Sequence, residues 1–440
     1  MILKKRDGEF LQEKEIHRFI EYYIKGMIPD YQMSAMCMAI YFKGMNSKEV
    51  SSLTMAMANS GDTVDLSPIS GIKIDKHSTG GVADTTTLIV GPLVAAAGVP
   101  FAKMSGRSLG YTGGTIDKLE SIPGFQTSIN QEQFIKQVNE INLAIIGQSK
   151  NLAPADKKLY AIRDVTGTVS SIPLIASSIM SKKIAGGANK LLLDVKTGNG
   201  AFMKNKEDAY ELAKTMVTIG QEVNKETIAI VTNMDQPLGT AVGNSLEVEE
   251  AILTLQGKTK GPLRELCLYL GAHMLVLADK VKDIDEGIPL LNNLLESGAA
   301  LKKLEEMINA QGGNGEVVKN TSLLPQAVGK HQVKVRQDGY INFVDAEALG
   351  FAAMILGAGR EYKDSKIDLS VGIKIHVKRG DKVKAGQTLL TIHYNDKVKL
   401  EGALKIIPKV FQFANYEVEP EPLVYGMVSQ RGRFTLNLKL

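Results

Sequence analysis

Two glycine-rich loops constrain this chain more than any other feature of its sequence. Each follows a short apolar stretch typical of a β-strand, and each combines glycine with hydroxyl and basic side chains, at 76–87 and 105–115. Paired glycines let the backbone approach a bound group, and free amides at a helix start point toward an anion. Ligands of open α/β sheets bind at the carboxyl ends of the strands. We therefore predict that the two loops form one phosphate site.

Other phosphate motifs fit these loops less well. A single Gly-Gly loop after a strand is most often only a turn, but two such loops within residues 71–120, each with Ser, Thr, Lys and Gly, favour a binding site. Neither loop matches G-x-x-x-x-G-K-[ST], nor G-x-G-x-x-G with an acidic residue about 20 positions later. Binding of nucleoside triphosphates or dinucleotides is therefore disfavoured.

Composition excludes several classes of protein. The chain has 440 residues, enough for two or three domains, and its 44% apolar but only 6% aromatic content suits an α/β protein with aliphatic cores. A net charge of +4 without basic blocks argues against a nucleic-acid partner. Cys37 and Cys267 lie far apart without a C-x-x-C motif, which indicates a reducing compartment and no structural zinc.

No membrane partner is expected either. The first ten residues are charged and lack the apolar core of a signal peptide. The longest apolar run, 88–99, contains Gly91 and Pro92 and is far shorter than the roughly 20 residues of a membrane helix. We expect a soluble, cytoplasmic protein.

The hydrophobic pattern divides the chain into three parts. Apolar spacing predicts helices at 10–27, 31–42 and 47–59. After Gly71, strand, loop and helix alternate, with strand signals at 143–146, 191–195 and 228–231, which indicates a mainly parallel sheet covered by helices. Further helices are predicted at 171–186, 208–223, 245–255, 262–280 and 300–309, and strands dominate after about residue 332.

The loops also carry a family resemblance. Residues 76–82 (Lys-His-Ser-Thr-Gly-Gly-Val), 105–107 (Ser-Gly-Arg) and 112–120 (Thr-Gly-Gly-Thr-Ile-Asp-Lys-Leu-Glu) resemble the thymidine and pyrimidine-nucleoside phosphorylase family. The match continues through 148–183 to the carboxyl end. The triple threonine at 85–87 is more similar to the bacterial pyrimidine-nucleoside branch than to the strict thymidine branch.

The resemblance implies an α/β fold class with a discontinuous first domain. A small all-helical domain would comprise 1–68 and 153–187, and a larger α/β domain with a mixed, mainly parallel sheet would comprise 71–150 and 188–330. A β-rich C-terminal α+β part would follow at 331–440. The segment 371–383 also resembles half of a biotinyl or lipoyl carrier domain, but the displayed lysine of a Met-Lys-Met hairpin is missing, so we assign it a structural role.

The resemblance implies phosphorolysis of pyrimidine nucleosides (uridine, thymidine and deoxyuridine) to a free base and (deoxy)ribose 1-phosphate, by a homodimer that closes a cleft between two domains. The sugar carries oxocarbenium-like positive charge in the transition state. The site must therefore hold phosphate beneath the sugar and stabilise negative charge on the departing base, which needs positioning and electrostatics.

The resemblance also assigns the site residues. The phosphate ligands would be Lys76, His77, Ser78, Thr87, Lys103, Met104, Ser105 and Thr115, and the base ligands would be Tyr160, Arg163, Ser178 and Lys182. His77, Arg163 and Lys182 would be catalytic, and the near-neutral pKa of an ordinary histidine suits proton transfer. From the residues alone, Thr115 reads as a helix N-cap, Thr87 as an ordinary first-turn residue, His77 as a loop-shaping residue, and the base set as surface charges.

A potassium-like ion is the one cofactor that the resemblance implies. Its ligands would be Ala83, Thr85, Leu238, Ala241 and Glu250, of which only Glu250 is chemically specific, because any residue supplies a backbone oxygen. Ala83 stands where the family usually has glycine. If that backbone has a positive φ, we expect strain of about 1 kcal/mol and a weaker ion site.

Two further departures and two rival functions remain open. Ser108 replaces a usual glycine or alanine and Tyr111 a usual histidine, which predicts slower domain closure; equal kcat values for wild type and Tyr111→His would contradict this. One rival is an anthranilate phosphoribosyltransferase-like enzyme, which needs magnesium. The other is a nucleoside-binding protein without turnover.

Overall fold

The computed structural model describes residues 1–107, 112–149, 151–362 and 365–439. Its helices are α1 Ile2–Arg6, α2 Glu13–Ile24, α3 Asp30–Lys43, α4 Ser47–Ala58, α5 Thr86–Ala96, α6 Thr115–Leu119, α7 Gln131–Ile141, α8 Pro154–Val165, α9 Ile172–Ala185, α10 Lys206–Glu222, α11 Asn244–Leu255, α12 Pro262–Leu277, α13 Ile284–Glu296, α14 Ala299–Ala310, α15 Ala346–Leu356 and α16 Lys397–Leu404.

The strands are β1 Ile74–Ser78, β2 Phe101–Ser105, β3 Leu143–Gly147, β4 Lys190–Thr197, β5 Thr227–Asn233, β6 Ala241–Val242, β7 Gly329–Lys334, β8 Gly339–Val344, β9 Gly372–Ile375, β10 Lys382–Val383, β11 Thr388–Tyr394, β12 Phe411–Ala414, β13 Val424–Ser429 and β14 Gly432–Leu438.

The helical part is discontinuous in sequence. Apolar residues of α2, α3 and α4 share one buried cluster with Leu159 of α8 and Leu174 of α9. A buried pair of Lys5 and Glu49 closes its amino-terminal side, with 2.8 Å between Nζ and Oε1. Glu49 also accepts a hydrogen bond from the backbone of Leu11, so one carboxylate fixes three segments of the helical part.

The central sheet is mixed and mainly parallel. It has the order β1-β4-β5-β13-β14, in which β1, β4 and β5 are parallel to one another. Strand β13 runs antiparallel to β5, and β14 runs antiparallel to β13. The parallel strands β2 and β3 lie beside β1. Helix α5 is almost entirely buried between the strands and α12, which explains its uniformly apolar sequence.

The C-terminal part is built from two small antiparallel sheets, β10-β8-β12 and β6-β9-β11-β7, around their own apolar cluster. One predicted assignment needs correction. The strands β13 and β14, placed in the C-terminal part by the boundary at 331, instead extend the central sheet: β13 pairs with β5, and β14 pairs with β13. Buried side chains of β13, among them Val424 and Val428, join the core beside the central sheet, which local pattern did not indicate.

The eight helices that were predicted with ranges are confirmed to within three residues, as α2, α3, α4, α9, α10, α11, α12 and α14. No individual range was predicted for α1, α5, α6, α7, α8, α15 or α16, nor for α13, which contains Pro289. In the described ranges, no helix is both long and apolar enough to cross a membrane.

Candidate functional site

The two glycine-rich loops begin side by side. Strand β1 ends at Ser78 and strand β2 ends at Ser105, and the Lys103 ammonium donates a hydrogen bond to the carbonyl of Lys76. Thr112 lies 3.5 Å from the carbonyl of Gly81, so the second loop returns to the first. The structure therefore brings the two loop starts together at one end of the strands.

Lys76 lies deeper than a surface ligand would. Its side chain is fully buried, with Nζ 3.3 Å from Oδ2 of Asp194, and it also contacts the hydroxyl of Thr86. Lys196 lies 2.8 Å from the same Asp194 oxygen. The two ammonium groups therefore share one carboxylate beneath the first loop.

Asp84 closes the first loop on itself. It accepts hydrogen bonds from the hydroxyls of Ser78 and Thr86. Burial opposes its ionisation, but the charges of Lys196 and Lys76 and these hydrogen bonds outweigh burial and hold the pKa of Asp84 far below its ordinary value. Ser78 is therefore held by an internal carboxylate, and its hydroxyl must turn to reach phosphate.

His77 lies at the centre of the positive charges. Burial, followed by Lys183, Lys103, Lys182 and Lys76, lowers its pKa well below the ordinary value. The imidazole is therefore neutral at pH 7, where about a quarter of an unperturbed histidine would be charged, and a proton donated from His77 at that pH would be that of a neutral ring.

The remaining phosphate candidates lie around the same edge. Thr87 is buried in the first turn of α5, and Met104 and Ser105 are half-buried at the end of β2. Thr115 is the first residue of α6, and the N-cap is Gly114 rather than Thr115 itself, because the side chain of Asp117 accepts from the Gly114 amide at 2.9 Å.

The second loop is braced by Asp117. Arg107 of the loop lies 3.1 Å from Asp117, and Arg360 of the C-terminal part lies 2.7 Å from the same carboxylate. This braces the loop against the C-terminal part, a contact that spans more than 240 residues of sequence and has no local signal. Ser108 and Tyr111 lie outside the described residues, so slower closure stays a prediction.

Arg163 is not the surface charge that spacing alone suggests. Its side chain is buried, and the guanidinium donates to the backbone carbonyls of Thr168, Leu174 and Val169 at 3.3, 3.0 and 2.7 Å. Tyr160 is half-buried with its ring centre 5.8 Å from the guanidinium. Arg163 therefore shapes the turn that leads into α9.

The other base candidates do lie together. Lys182 contacts Asp156, and its Nζ is 3.0 Å from the hydroxyl of Ser178 one turn earlier on α9. Ser178 is buried, whereas about a quarter of the Lys182 side chain, 23%, is exposed. One turn of α9 thus brings a hydroxyl and an ammonium together.

A small cavity that no sequence pattern indicated lies beside the turn held by Arg163. The cavity measures about 220 Å³ and is lined by Gly167, Val169, Ser170, Ile175, Phe202 and Met203. Phe202 is 59% exposed, and a Cβ placed on Gly80 would lie 3.9 Å from its ring. An exposed phenylalanine directly after the glycines at 198 and 200 was the available signal.

The residues assigned to an ion lie on two adjacent segments. The amides of Leu238 and Gly239 donate to the carbonyls of Val82 and Ala83, at 3.2 and 3.1 Å. Thr85 donates to Glu247 at 2.9 Å. Ala83 has a φ of +55°, in the left-handed region that favours glycine, and its methyl group belongs to the C-terminal apolar cluster.

Glu250 completes this set. Its carboxylate accepts from the amides of Thr240 and Ala241 at 2.6 and 3.2 Å. Burial raises the pKa of Glu250 to about 7, and the nearby charge that acts on it is another carboxylate, Glu247. A buried carboxylate beside backbone oxygens is a donor set that fits a monovalent cation.

Three family models match the chain in sequence order. They are the glycosyl transferase family helical bundle domain at 1–61, the glycosyl transferase family a/b domain at 70–301, and the pyrimidine nucleoside phosphorylase C-terminal domain at 340–414. The chain is 54% identical over 429 residues to the pyrimidine-nucleoside phosphorylase of Geobacillus stearothermophilus, covering 98% of this chain and 99% of the relative. It is 59% identical over 395 residues to that of Staphylococcus haemolyticus, covering 90% and 91%.

A solved structure shares the fold. The anthranilate phosphoribosyltransferase of Thermus thermophilus superposes with a TM-score of 0.59 at 19% identity, over 70% of this chain and 98% of that chain. Fold and matched domains together define a glycosyltransferase built from a helical bundle and an α/β domain. Within that class, the chain belongs to the pyrimidine-nucleoside phosphorylase family.

Proposed function

We propose that this glycosyltransferase cleaves uridine, thymidine and deoxyuridine with inorganic phosphate, giving the free pyrimidine and (deoxy)ribose 1-phosphate. Membership of the pyrimidine-nucleoside phosphorylase family supports the reaction class. The observation that carries the proposal is the place of His77 in β1: Lys103 of β2 contacts the carbonyl of its neighbour Lys76, and Lys183 of α9 contacts Asp75 of the same strand. One half-buried histidine thus lies between the proposed phosphate and base ligands.

The reaction follows from this arrangement. Phosphate held over β1 and β2 attacks the anomeric carbon from the face opposite the base, and a single displacement inverts that centre. Lys182 and Ser178 face the base, whose carbonyl oxygen gains negative charge as the glycosidic bond breaks. Neutral His77 is placed to donate to the same oxygen. Arg163 acts on the base by holding the turn that carries Val169, a lining residue of the cavity.

One assay tests the function. The protein is incubated with uridine or thymidine, with and without phosphate, and release of free base is followed by absorbance. We expect free base to be released only when phosphate is present, and we expect this release to need no added magnesium. A strict magnesium requirement would favour the phosphoribosyltransferase-like rival, and binding of both ligands without release would favour a binding protein.

We also propose that a potassium-like ion binds between the segments at 83–85 and 238–241, with Glu250 as its charged ligand. When bound, the ion supplies positive charge that holds the backbone oxygens of the two segments together. The proposal is supported by the fit between a monovalent cation and this set of oxygen donors. The hydrogen bond from Thr85 to Glu247 links the proposed ion site to the start of α5.

The ion proposal predicts a specific loss of potassium stabilisation. Potassium chloride should raise the melting temperature of wild type more than choline chloride does, and Glu250→Gln should abolish the difference because the charged ligand is gone. Ala83→Gly relieves about 1 kcal/mol of backbone strain at the positive φ. It also removes a buried methyl group, which costs about 0.8 kcal/mol of hydrophobic stabilisation. We expect it to change the free energy of unfolding by less than about 1 kcal/mol while increasing the potassium effect. An equal response of all three proteins would contradict the proposal.

We propose further that the protein is a homodimer that uses one face of α3. Tyr31, Met38 and Phe42 recur at helical spacing on that face, and Tyr31 and Phe42 are 73% and 74% exposed. An uncharged apolar stripe is self-complementary across a two-fold axis, which favours a second copy as the partner.

The dimer proposal is tested by molar mass. Light scattering during gel filtration should give two chains for wild type and one for Phe42→Glu, because a buried charge at the centre of the contact is costly. Phe434→Glu, at an exposed phenylalanine of β14, is the matched control and should remain dimeric. A single-chain wild type would rule out the proposal.

The two cysteines support a cytoplasmic location, which we likewise propose. Cys37 and Cys267 are free and buried in different apolar clusters. Burial raises the pKa of Cys37 to about 11, so its thiol stays protonated and unreactive. Neither cysteine serves the site.

A further inference from the structure

A buried carboxylate, Asp75, lies between two ammonium groups behind the proposed phosphate site. Its Oδ1 is 3.2 Å from Nζ of Lys103, and its Oδ2 is 2.7 Å from Nζ of Lys183. The three side chains are almost completely buried, at 8%, 4% and 6% exposure. Both carboxylate oxygens are therefore committed, one to each lysine.

The three residues come from three different elements. Asp75 belongs to β1, Lys103 to β2 and Lys183 to α9. Each ammonium is held further by a backbone carbonyl: Lys103 donates to that of Lys76, and Lys183 to that of Met104 at 3.4 Å. The triad therefore fixes α9 directly to the two strands that carry the glycine-rich loops.

Two consecutive lysines of α9 belong to the triad and to the proposed base site, respectively. Lys183 points to Asp75, whereas Lys182 contacts Asp156 and Ser178 in the proposed base site. Lys103 is thus connected through one carboxylate to Lys183, the residue next to Lys182. The geometry gives a short physical connection between the two ligand sets.

We propose that Asp75 is a positioning residue for phosphorolysis, which keeps Lys103 charged and aimed at phosphate and ties its position to α9. This inference rests on the proposed function, because the role of Lys103 toward phosphate belongs to it. Asp75 itself contacts neither phosphate nor base.

The charges around Lys103 give the inference a measurable sign. Burial lowers the pKa of Lys103 to about 7; Asp75 acts in the opposite direction, and Lys183 and Lys76 lower the pKa further. Because the ammonium form exists below its pKa, phosphate binding should weaken as pH rises through that value. Removing Asp75 should bring this loss to lower pH, and removing Lys183 should move it to higher pH.

The test compares Asp75→Asn and Lys183→Met with wild type. We would measure kcat/KM for phosphate at saturating uridine between pH 5.5 and 9. The high-pH limb should move down by about one pH unit or more in Asp75→Asn, because an opposite charge as near as Asp75 ordinarily raises a pKa by roughly 1 to 3, and it should move up in Lys183→Met. The ionisation of phosphate itself is common to all variants and cancels in the comparison.

Two measurements separate this role from simple structural support. Asp279→Asn is the control, because Asp279 is an exposed aspartate paired with Lys190, and its profile should match wild type. Calorimetric titration with phosphate at pH 7, in buffers of different ionisation enthalpy, should show proton uptake by wild type and more of it per phosphate bound in Asp75→Asn, because less of Lys103 is protonated beforehand in the variant.

The outcomes are distinct. Limbs that shift in opposite directions support the inference, and limbs that coincide with wild type, or shift the same way, overturn it while leaving phosphorolysis intact. If Asp75→Asn does not fold, the direction of the Lys183→Met limb decides alone. If wild type releases no base at any pH, the proposed function fails first.

Discussion

Lys76→Ala is expected to lower kcat/KM for phosphorolysis about 10³-fold, in line with the loss of one buried electrostatic donor from an active site. The ammonium group is fully buried beneath the first loop, where low polarity strengthens its effect on an anion. The loss should fall on the KM for phosphate and on kcat together. The rate of uracil release as a function of phosphate concentration measures both.

The control for this prediction is a lysine on the surface. Lys282, whose side chain is 79% exposed, should tolerate alanine without a change in rate. We expect Lys76→Ala to keep its fold, because Asp194 retains Lys196 as a partner. Circular dichroism checks this. A folded Lys76→Ala enzyme with activity within twofold of wild type would remove Lys76 from the site.

Arg163→Ala is expected to lower the free energy of unfolding by about 3 kcal/mol or more and to abolish detectable turnover. The guanidinium holds three carbonyls of the turn before α9, and hydrogen bonds to charged groups contribute about 1.5 to 3 kcal/mol each. Arg163→Lys should lose most of this, because an ammonium cannot span three carbonyls in that geometry. Urea unfolding followed by circular dichroism measures the loss.

Arg18 provides the matched comparison, since it is an exposed arginine of the same helical part. Its replacement by alanine should change the free energy of unfolding by less than about 0.5 kcal/mol. An Arg163→Ala protein as stable as wild type would show that the turn holds without the guanidinium. Full activity in a stable variant would exclude the role of this turn in the cavity.

Features with a local cause were predictable from the sequence. The strand before each glycine-rich loop, the helices at 47–58 and 172–185, and the parallel strand β4 follow from apolar spacing and from Gly and Pro at their ends. The positive φ at Ala83 was also predictable, because the resemblance marks a glycine position there.

Features that depend on distant partners were not predictable from the sequence. Nothing near β13 reveals that it pairs with β5 almost 200 residues earlier. Arg163 looked like a surface charge because its three acceptors are backbone carbonyls, which any sequence supplies. The burial of Lys76 and the triad at Asp75 likewise arise from strands that meet only in the folded chain.

The late position of β13 and β14 bears on how the molecule is made. Because β13 covers the open side of β5, the central sheet keeps an unsatisfied row of amides and carbonyls throughout synthesis of the intervening C-terminal part. A nascent chain on the ribosome therefore exposes a template for wrong pairing until its last strands emerge. Truncation before residue 424 should leave the catalytic loops encoded but the protein prone to aggregate.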